Sequence, residues 1–329
     1  MKKIFAVAAL IALFTACGGK KEKPKSTQPP VANQQQVMLT PAPGFVSDSA
    51  YAFVEKQLSF GPRVPNTRGH KACGDYLIAK LKQYGAEVIV QEANVTAYTG
   101  ATLKIRNIIA RFNPKSTSRI ALFAHWDTRP FADQDAEINS KTPVPGADDG
   151  ASGVAVLLEI ARNLQQTPPT AGVDIILFDG EDYGNSGGEP ETYCLGSQYW
   201  ARNQPIPGYY AKYGILLDMV GASGARFCKE GWSRQYAASV VENVWNTAQQ
   251  LGYGMYFLMK DTEPLVDDHY FVNTLARIPT IDIINYDREG AASGFGEHWH
   301  TLQDDISIID RNTLKAVGQT VMQVIYNEK

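Results

Sequence analysis

Short, almost entirely apolar runs of strand length, each ending in an acid, a histidine or an amide, constrain the fold of this chain most strongly. The runs in "RIALFAHWD", "VDIILFDGED", "GILLDMVG" and "IPTIDIIN" are separated by longer segments with helical periodicity. A strand that is apolar at nearly every position is buried on both faces, as in a sheet covered by helices on each side. The 329-residue sequence is 44% apolar and can bury such a core. We predict an α/β fold: a single three-layer α/β/α domain with a central, mostly parallel mixed sheet.

The periodicity also places the individual elements. The predicted strands are Glu87–Val90, Lys104–Phe112, Arg119–Ala124, Asp174–Asp179, Gly214–Met219 and Thr280–Asn285. The predicted helices are Ser47–Leu58, Gly69–Tyr84, Gly153–Gln165, Tyr236–Leu251, Asp267–Ala276 and Asn312–Tyr326. Ser152 is expected to cap the third helix, because a serine side chain can accept a hydrogen bond from the first helical turn.

The N-terminal residues are typical of an export segment. "MKKIFAVAALIALFTAC" has two lysines, a short apolar run and small residues before a cysteine, which is the order of a signal peptide and is similar to a bacterial lipobox. We predict a signal peptide over residues 1–16, a lipid on Cys17, a flexible tether over 17–43 and a catalytic domain over 44–329. The tether is Pro-rich and lacks aromatic residues, so it cannot bury enough surface to fold. These features predict an exported lipoprotein, on the periplasmic side or at the outer membrane, that contacts the membrane only through its lipid.

Composition and local patterns exclude several classes of protein. The net charge is −3, from 34 acids against 31 bases, so no basic field would attract nucleic acid.

Several single residues also carry predictions. Cys73, Cys194 and Cys228 allow one disulfide at most, and their spacing does not say which pair would form it. Ser186 fits a G-x-S-x-G pattern in "GNSGG", but no helical segment follows directly, so we predict a loop residue. His70 lies in a helical segment and is expected at the surface or as a cap.

Acids and histidines cluster where the predicted strands end. These positions are His125, Asp127, Glu181, Asp182 and Asp218, and the segment after the last strand adds His298 and His300. In open α/β sheets, ligands bind at the carboxyl ends of the strands. Adjacent carboxylates repel one another unless a cation lies between them, and imidazole with carboxylate is a donor set that zinc prefers. The sequence therefore predicts a metal site at this edge of the sheet.

The ordered motifs carry a resemblance to a known family. "HWD", "PGADDGASGVAVLLEIA", "FDGED", "LLDMVG" and "WHTLQDD" resemble, in this order, the motifs of the zinc aminopeptidase-like exopeptidase superfamily. "FGPRVPNTRG", "LVDDHYF" and the tryptophan in "WHT" are similar to animal-type glutaminyl cyclases within it. The resemblance covers essentially the whole folded region. It implies a monomeric cyclase that converts the N-terminal glutamine of peptides or proteins to pyroglutamate and releases ammonia.

The resemblance also assigns roles to single residues. It implies one zinc ion per chain, held by Asp149, Asp182 and His300, with His298 as a weaker candidate because it lacks the "WHT" context. It assigns proton transfer to Glu181 and binding of the substrate amide to Asp218 and Asp267, which are expected to share a proton. It assigns the substrate pocket to Trp299, His125 and His269. It further implies a cis peptide bond between Asp149 and Gly150.

The sequence departs from the family pattern near the site. Asp182 stands where the family usually has glutamate, one methylene longer, so the metal or the backbone must shift. Ala124 and Val154 occupy the positions of a cysteine pair that flanks the animal site. The aromatic residue that animal enzymes carry after the "GEE" motif has no counterpart here, which predicts a different substrate rim.

Two other functions remain open from the sequence. A di-zinc aminopeptidase would use Asp149 as the bridging ligand, and its remaining ligands would be His125 and Asp218 for one ion and Asp182 and His300 for the other. All of these residues are present. A lipid-anchored binding protein with a degenerate enzyme fold is the third possibility, and it would not bind zinc.

Overall fold

The computed structural model describes residues 39–289 and 293–328. The predicted signal peptide, Cys17 and most of the tether lie outside these residues and stay predictions. A single compact unit spans Leu39–Lys329. Thr40 donates to the Asn327 side chain at 3.1 Å, so packing against the last helix begins before residue 44. No helix in the described part of the chain combines the length and apolar character needed to cross a membrane.

A six-stranded sheet forms the middle layer. Together with the two strands of a second, small sheet, the strands in chain order are β1 (Glu87–Thr96), β2 (Thr102–Phe112), β3 (Arg119–His125), β4 (Gly172–Phe178), β5 (Gly214–Asp218), β6 (Phe227–Lys229), β7 (Phe257–Asp261) and β8 (Thr280–Ile284). The order in the main sheet is β1-β2-β4-β3-β5-β8, and β6 pairs with β7 separately. Strands β4, β3, β5 and β8 run parallel, whereas β1 and β2 are antiparallel to their neighbours. This confirms the predicted mixed sheet.

Helices cover both faces of the sheet. They are α1 (Ser47–Leu58), α2 (Arg68–Gln83), α3 (Ala151–Gln166), α4 (Leu195–Arg202), α5 (Gly231–Gln250), α6 (Asp268–Phe271) and α7 (Arg311–Asn327). Successive side chains of a strand point to opposite faces. Leu122 of β3 accordingly packs in the core with α1, α3 and α7, whereas its neighbour Phe123 packs in a second core with Trp200 of α4. The three-layer prediction is confirmed.

Several local predictions were wrong. The strands β6 and β7 and the helix α4 were not predicted, because elements this short carry little periodicity. The predicted helix over Asp267–Ala276 is regular only in α6 and continues as a π-helical turn over Val272–Ala276. Ser152 does not cap α3: it lies within the first turn of the helix, and its hydroxyl donates to the Asp148 carbonyl and accepts from the Val220 N–H.

Gly153 allows α3 to approach β5 closely, since a Cβ there would lie 2.2 Å from the Leu217 carbonyl oxygen.

Candidate metal centre and active site

The carboxyl ends of the parallel strands bring the predicted site residues together. His125 is the last residue of β3, and Asp218 is the last residue of β5. The turn after β4 carries Glu181 and Asp182, and the Asp127 carboxylate accepts both of their backbone N–H groups at 3.1 and 3.2 Å. The sheet thus fixes the acid-rich turn at a defined place beside its neighbouring strands.

The three predicted metal ligands form one cluster. Asp149, Asp182 and His300 each offer a donor atom, and these atoms all lie within 4.8 Å of one another. His300 Nε2 is 3.3 Å from Asp182 Oδ1 and 3.9 Å from Asp149 Oδ2. All three residues are buried. His298 instead contacts Asp148 at 3.0 Å and does not belong to this cluster.

A second cluster shares Asp149. His125 Nε2 lies 3.0 Å from Asp149 Oδ1 and 3.1 Å from Asp218 Oδ1. The three donor atoms of this cluster also lie within 4.8 Å of one another. The arrangement therefore contains both ligand sets of a two-metal site, joined through one carboxylate.

The other bonds of the clustered residues leave room for a metal ion. The buried Arg129 guanidinium donates to the Asp182 carbonyl at 3.0 Å and to Asp182 Oδ1 at 3.3 Å. It also pairs with Asp133, whose Oδ1 lies 3.2 Å from His300 Nδ1. Asp182 Oδ2 has no hydrogen-bond partner in the described part of the chain, although Asp182 is only 2% exposed. A buried carboxylate oxygen without a donor, beside an imidazole nitrogen, fits a bound zinc ion.

The loop that carries Asp149 is held from the far end of the chain. Asp304 accepts the backbone N–H groups of Asp148 and Asp149 at 2.7 and 3.1 Å. The predicted cis peptide after Asp149 is wrong, because the described residues contain no cis peptide bond. Gly150 turns the chain through a φ of 98°, which glycine adopts without steric cost.

The acids of the site strongly perturb one another. Burial raises the pKa of Glu181 well above its ordinary value, and the nearby Asp182, Asp267 and Asp268 raise it further, while His125 opposes the rise. Burial raises the pKa of Asp218 to about 7, with His125 again opposing. Asp267 contributes to this rise, as expected if the two acids share a proton. So many buried carboxylates in one place are a cation site or hold protons at neutral pH.

A cavity of about 360 Å³ opens onto the cluster. Its lining includes Glu181, Asp218, Asp267 and Trp299, as predicted, and the Trp299 ring stacks on His300 with 3.8 Å between ring centroids. Its lining also includes apolar and aromatic side chains, among them Tyr193, Leu265, Ile284 and Phe295. The cavity is large enough for about one amino-acid residue of a peptide, and its lining combines acids with aromatic and apolar side chains.

Two residues assigned to the pocket do not line it. His125 is 1% exposed. Its Nε2 contacts Asp149 and Asp218, and these two residues line the cavity whereas His125 does not. His269 is fully buried, and its Nε2 contacts the Glu230 carboxylate at 3.0 Å. Neither histidine is therefore on the wall of the cavity.

Other predictions near the site are corrected as well. His70 is neither exposed nor a cap: it is 3% exposed, stacks on Trp126 and contacts both Asp179 oxygens at 2.8 and 2.9 Å. Asp179 directly precedes the turn that carries Glu181 and Asp182, so this buried pair supports that turn. The three cysteines of the domain are free and buried, so no disulfide forms among them.

Sequence reasoning missed Arg129, Asp133 and Cys194. Arg129 is the second residue after "HWD", and its closeness to this motif in the sequence was the available signal. Cys194 offered none, because the turn that aims its thiol at Glu181 has no sequence signature.

The three-layer fold and the buried imidazole and carboxylate donors at its strand ends define an α/β metalloenzyme. The chain belongs to peptidase family M28, whose sequence profile matches residues 107–325. The family expected from the motifs is thereby confirmed.

Several solved and curated proteins are similar to this chain. A glutaminyl cyclase from Bacteroides thetaiotaomicron, solved with N-acetylhistamine, is 54% identical with a TM-score of 0.85; the match covers 88% of this chain and 100% of that one. A Zn-dependent exopeptidase from Parabacteroides distasonis is 53% identical with a TM-score of 0.86, covering 87% and 100%. The aminopeptidase YwaD of Bacillus subtilis is 26% identical over 82% of this chain. The matched region spans about half (54%) of the length of YwaD.

Proposed function

We propose that this protein is a glutaminyl-peptide cyclotransferase that converts N-terminal glutamine to pyroglutamate and releases ammonia. The observation that carries the proposal is Asp267. It lines the cavity, is only 4% exposed, and its Oδ2 has no hydrogen-bond partner among the described residues. A third acid with a free acceptor beside Asp218 and Glu181 suits a substrate that presents a side-chain amide. The likeness to a glutaminyl cyclase over the whole length of that protein supports the same reaction.

The reaction closes a ring within the substrate. The α-amine nitrogen bonds to the side-chain amide carbon, the bond from that carbon to the amide nitrogen breaks, and ammonia leaves. Glu181 takes the proton from the amine and passes it to the departing nitrogen. Asp218 and Asp267 accept hydrogen bonds from the amide NH₂, and the one proton they share suits Asp218, whose pKa is raised to about 7 mainly by burial. The narrow cavity holds the two ends of the glutamine in the ring-closing conformation, which removes much of the entropic barrier.

Zinc is the metal that the donor set and the likeness to a Zn-dependent exopeptidase support. Asp149, Asp182 and His300 would hold it, and when bound it supplies a Lewis acid that polarises the amide carbonyl. We propose one ion per chain. In that state His125 hydrogen-bonds Asp218 and Asp149, which holds these two carboxylates in place without a second ion.

The second candidate is a di-zinc aminopeptidase. The intact His125, Asp149 and Asp218 cluster favours it, because these residues could hold a second ion. Metal analysis of the purified protein separates the two: one zinc per chain supports the cyclase, and two support the peptidase.

The direct test incubates the purified protein with a glutaminyl peptide and follows ammonia and product mass. We expect ammonia release and a product lighter by one ammonia. Glu181→Gln should lower the rate by about 10²–10⁴-fold while the zinc content is unchanged, because a positioned acid–base group contributes that much. Glu189→Gln is the matched control, since Glu189 is exposed on the loop near the rim. Free glutamine in place of ammonia would establish the peptidase.

We further propose that the protein is exported as a monomeric lipoprotein anchored through Cys17. The order of charged, apolar and small residues before Cys17 supports this proposal. Labelling of cells with a fatty acid should tag the parent protein, and Cys17→Ser should abolish the label. Size determination of the folded domain tests the monomer.

A further inference from the structure

Cys194 lies directly against the carboxylate to which we assign proton transfer. Its Sγ is 3.4 Å from Glu181 Oε1 and 3.9 Å from Asp267 Oδ1. The side chain is completely buried. The thiol therefore lies between the proton shuttle and one of the acids that we assign to the substrate amide.

The backbone fixes this thiol in place. Cys194 adopts a φ of 56°, the left-handed region, immediately before α4. A side chain in that conformation costs about 1–2 kcal/mol, so surrounding bonds must maintain it. The Cys194 N–H donates to the Glu181 carbonyl at 2.9 Å, and the next N–H, that of Leu195, donates to the Gly180 carbonyl at 3.1 Å. The residue that carries the thiol is thus bonded to the same turn that carries its target.

The thiol acts as a hydrogen-bond donor. Burial raises the pKa of Cys194 well above its ordinary value, and the negative charges of Glu181, Asp268 and Asp267 add to the rise. The sulfur therefore keeps its proton, and the nearest acceptor is Glu181 Oε1. A thiol donates weakly, so it restricts the carboxylate without strongly stabilising its ionised form.

We propose that Cys194 is a positioning residue that holds the Glu181 carboxylate in its reactive orientation through an S–H···O hydrogen bond. The inference rests on the proposed function in one respect, that Glu181 transfers a proton during turnover. Without the bond, the Glu181 side chain gains rotational freedom within the cavity. Substrate binding is unaffected in this account, and only the chemical step slows.

The kinetic test compares Cys194→Ala, Cys194→Ser and the control Cys73→Ala in the zinc-loaded protein. Cys73 is a free cysteine of α2 whose side chain is buried in the main hydrophobic core. We expect Cys194→Ala to lower kcat by up to about tenfold, the upper end for loss of one hydrogen bond, with KM within about twofold. Cys194→Ser, which restores a donor, should recover most of kcat, and Cys73→Ala should leave it unchanged. A parental kcat in Cys194→Ala, or no recovery with serine, would overturn the proposal.

A second measurement shows whether Cys194 acts through Glu181. In a Glu181→Asp background the carboxylate is one methylene shorter and out of reach, so adding Cys194→Ala should cause no further loss. An undiminished loss in that background would show a general structural effect and refute the role.

A spectroscopic measurement does not depend on turnover. The infrared difference between the parent and Cys194→Ser isolates the S–H stretching band of this thiol, which should shift to higher frequency in Glu181→Ala. An unshifted band would contradict the hydrogen bond. If the parent releases no ammonia, the cyclase assignment fails, while the infrared result still decides whether the thiol binds Glu181.

Discussion

Glu230 is a buried carboxylate that joins three elements beside the pocket, and its replacement by glutamine is a stringent test of the structure. The residue is fully buried and caps α5 by accepting the N–H groups of Trp232 and Ser233 at 2.8 and 2.7 Å. It also accepts the Leu265 N–H at 2.7 Å and contacts His269 Nε2 at 3.0 Å. The carboxylate therefore connects α5 and α6 with the loop that leads to Asp267, the acid proposed to bind the substrate amide.

The contribution of Glu230 follows from its pKa. Burial raises the pKa, but His269 and the backbone N–H donors outweigh burial and lower it from 4.5 to about 2. Since each tenfold change in proton affinity corresponds to about 1.4 kcal/mol, the ionised carboxylate contributes on the order of 3 kcal/mol to the free energy of unfolding at neutral pH. Because the folded-state pKa is depressed, this contribution is present above pH 4.5 and is lost as the pH falls toward 2. At pH 3 it should be roughly half as large or less.

The assay is chemical denaturation of the parent, Glu230→Gln and Glu242→Gln at pH 7 and pH 3. Glu242 is a matched control on the same helix: its side chain is 46% exposed and pairs with Lys229 at 2.8 Å. Such exposed pairs contribute about 0–1 kcal/mol. Glu230→Gln should lose about 3 kcal/mol at pH 7 and clearly less at pH 3. The reasoning is refuted by a loss below about 1 kcal/mol at pH 7, or by one that does not shrink in acid.

Three further outcomes are expected. Gly153→Ala should destabilise the fold by about 1–3 kcal/mol in thermal unfolding, because the new Cβ would overlap the Leu217 carbonyl oxygen; a stabilised variant would contradict the close approach of α3 to β5. Arg129→Lys should weaken zinc binding by about 10–100-fold in competition with a chelator, since lysine cannot contact Asp133 and Asp182 together; unchanged affinity would argue against this support. Removal of zinc by a chelator should lower the unfolding temperature and added zinc should restore it, because a ligand that binds only the folded state stabilises it. An unfolding temperature that is the same with and without zinc would contradict a metal site.

The sequence was sufficient to predict the main sheet and the clustering of Asp149, Asp182 and His300, because both leave local signals. A buried strand such as β4 is apolar along its whole length, and an acid at its end contrasts sharply with that run. Asp149, Asp182 and His300 each lie in a motif of the family, so their convergence could be expected before any coordinates.

The support around the ligands was not predictable in the same way. The contacts of Arg129 with Asp182 and Asp133 are visible only in three dimensions. No local sequence pattern distinguishes a buried arginine from an exposed one. His70 was misjudged for a similar reason: an imidazole on a helix is counted as polar, but a ring stacked on Trp126 and bonded to Asp179 is buried. The cis peptide bond that the family resemblance implied after Asp149 is absent, because Gly150 makes the turn with an ordinary trans peptide.

The three proposed metal ligands, Asp149, Asp182 and His300, are widely separated along the chain, and Asp304 accepts the backbone N–H group of the first of them. On this assignment, the ion finds no complete set of donors during synthesis until the chain has emerged through residue 304. Metal acquisition should therefore be a late step of folding, and products that end before His300 should be unable to retain the ion.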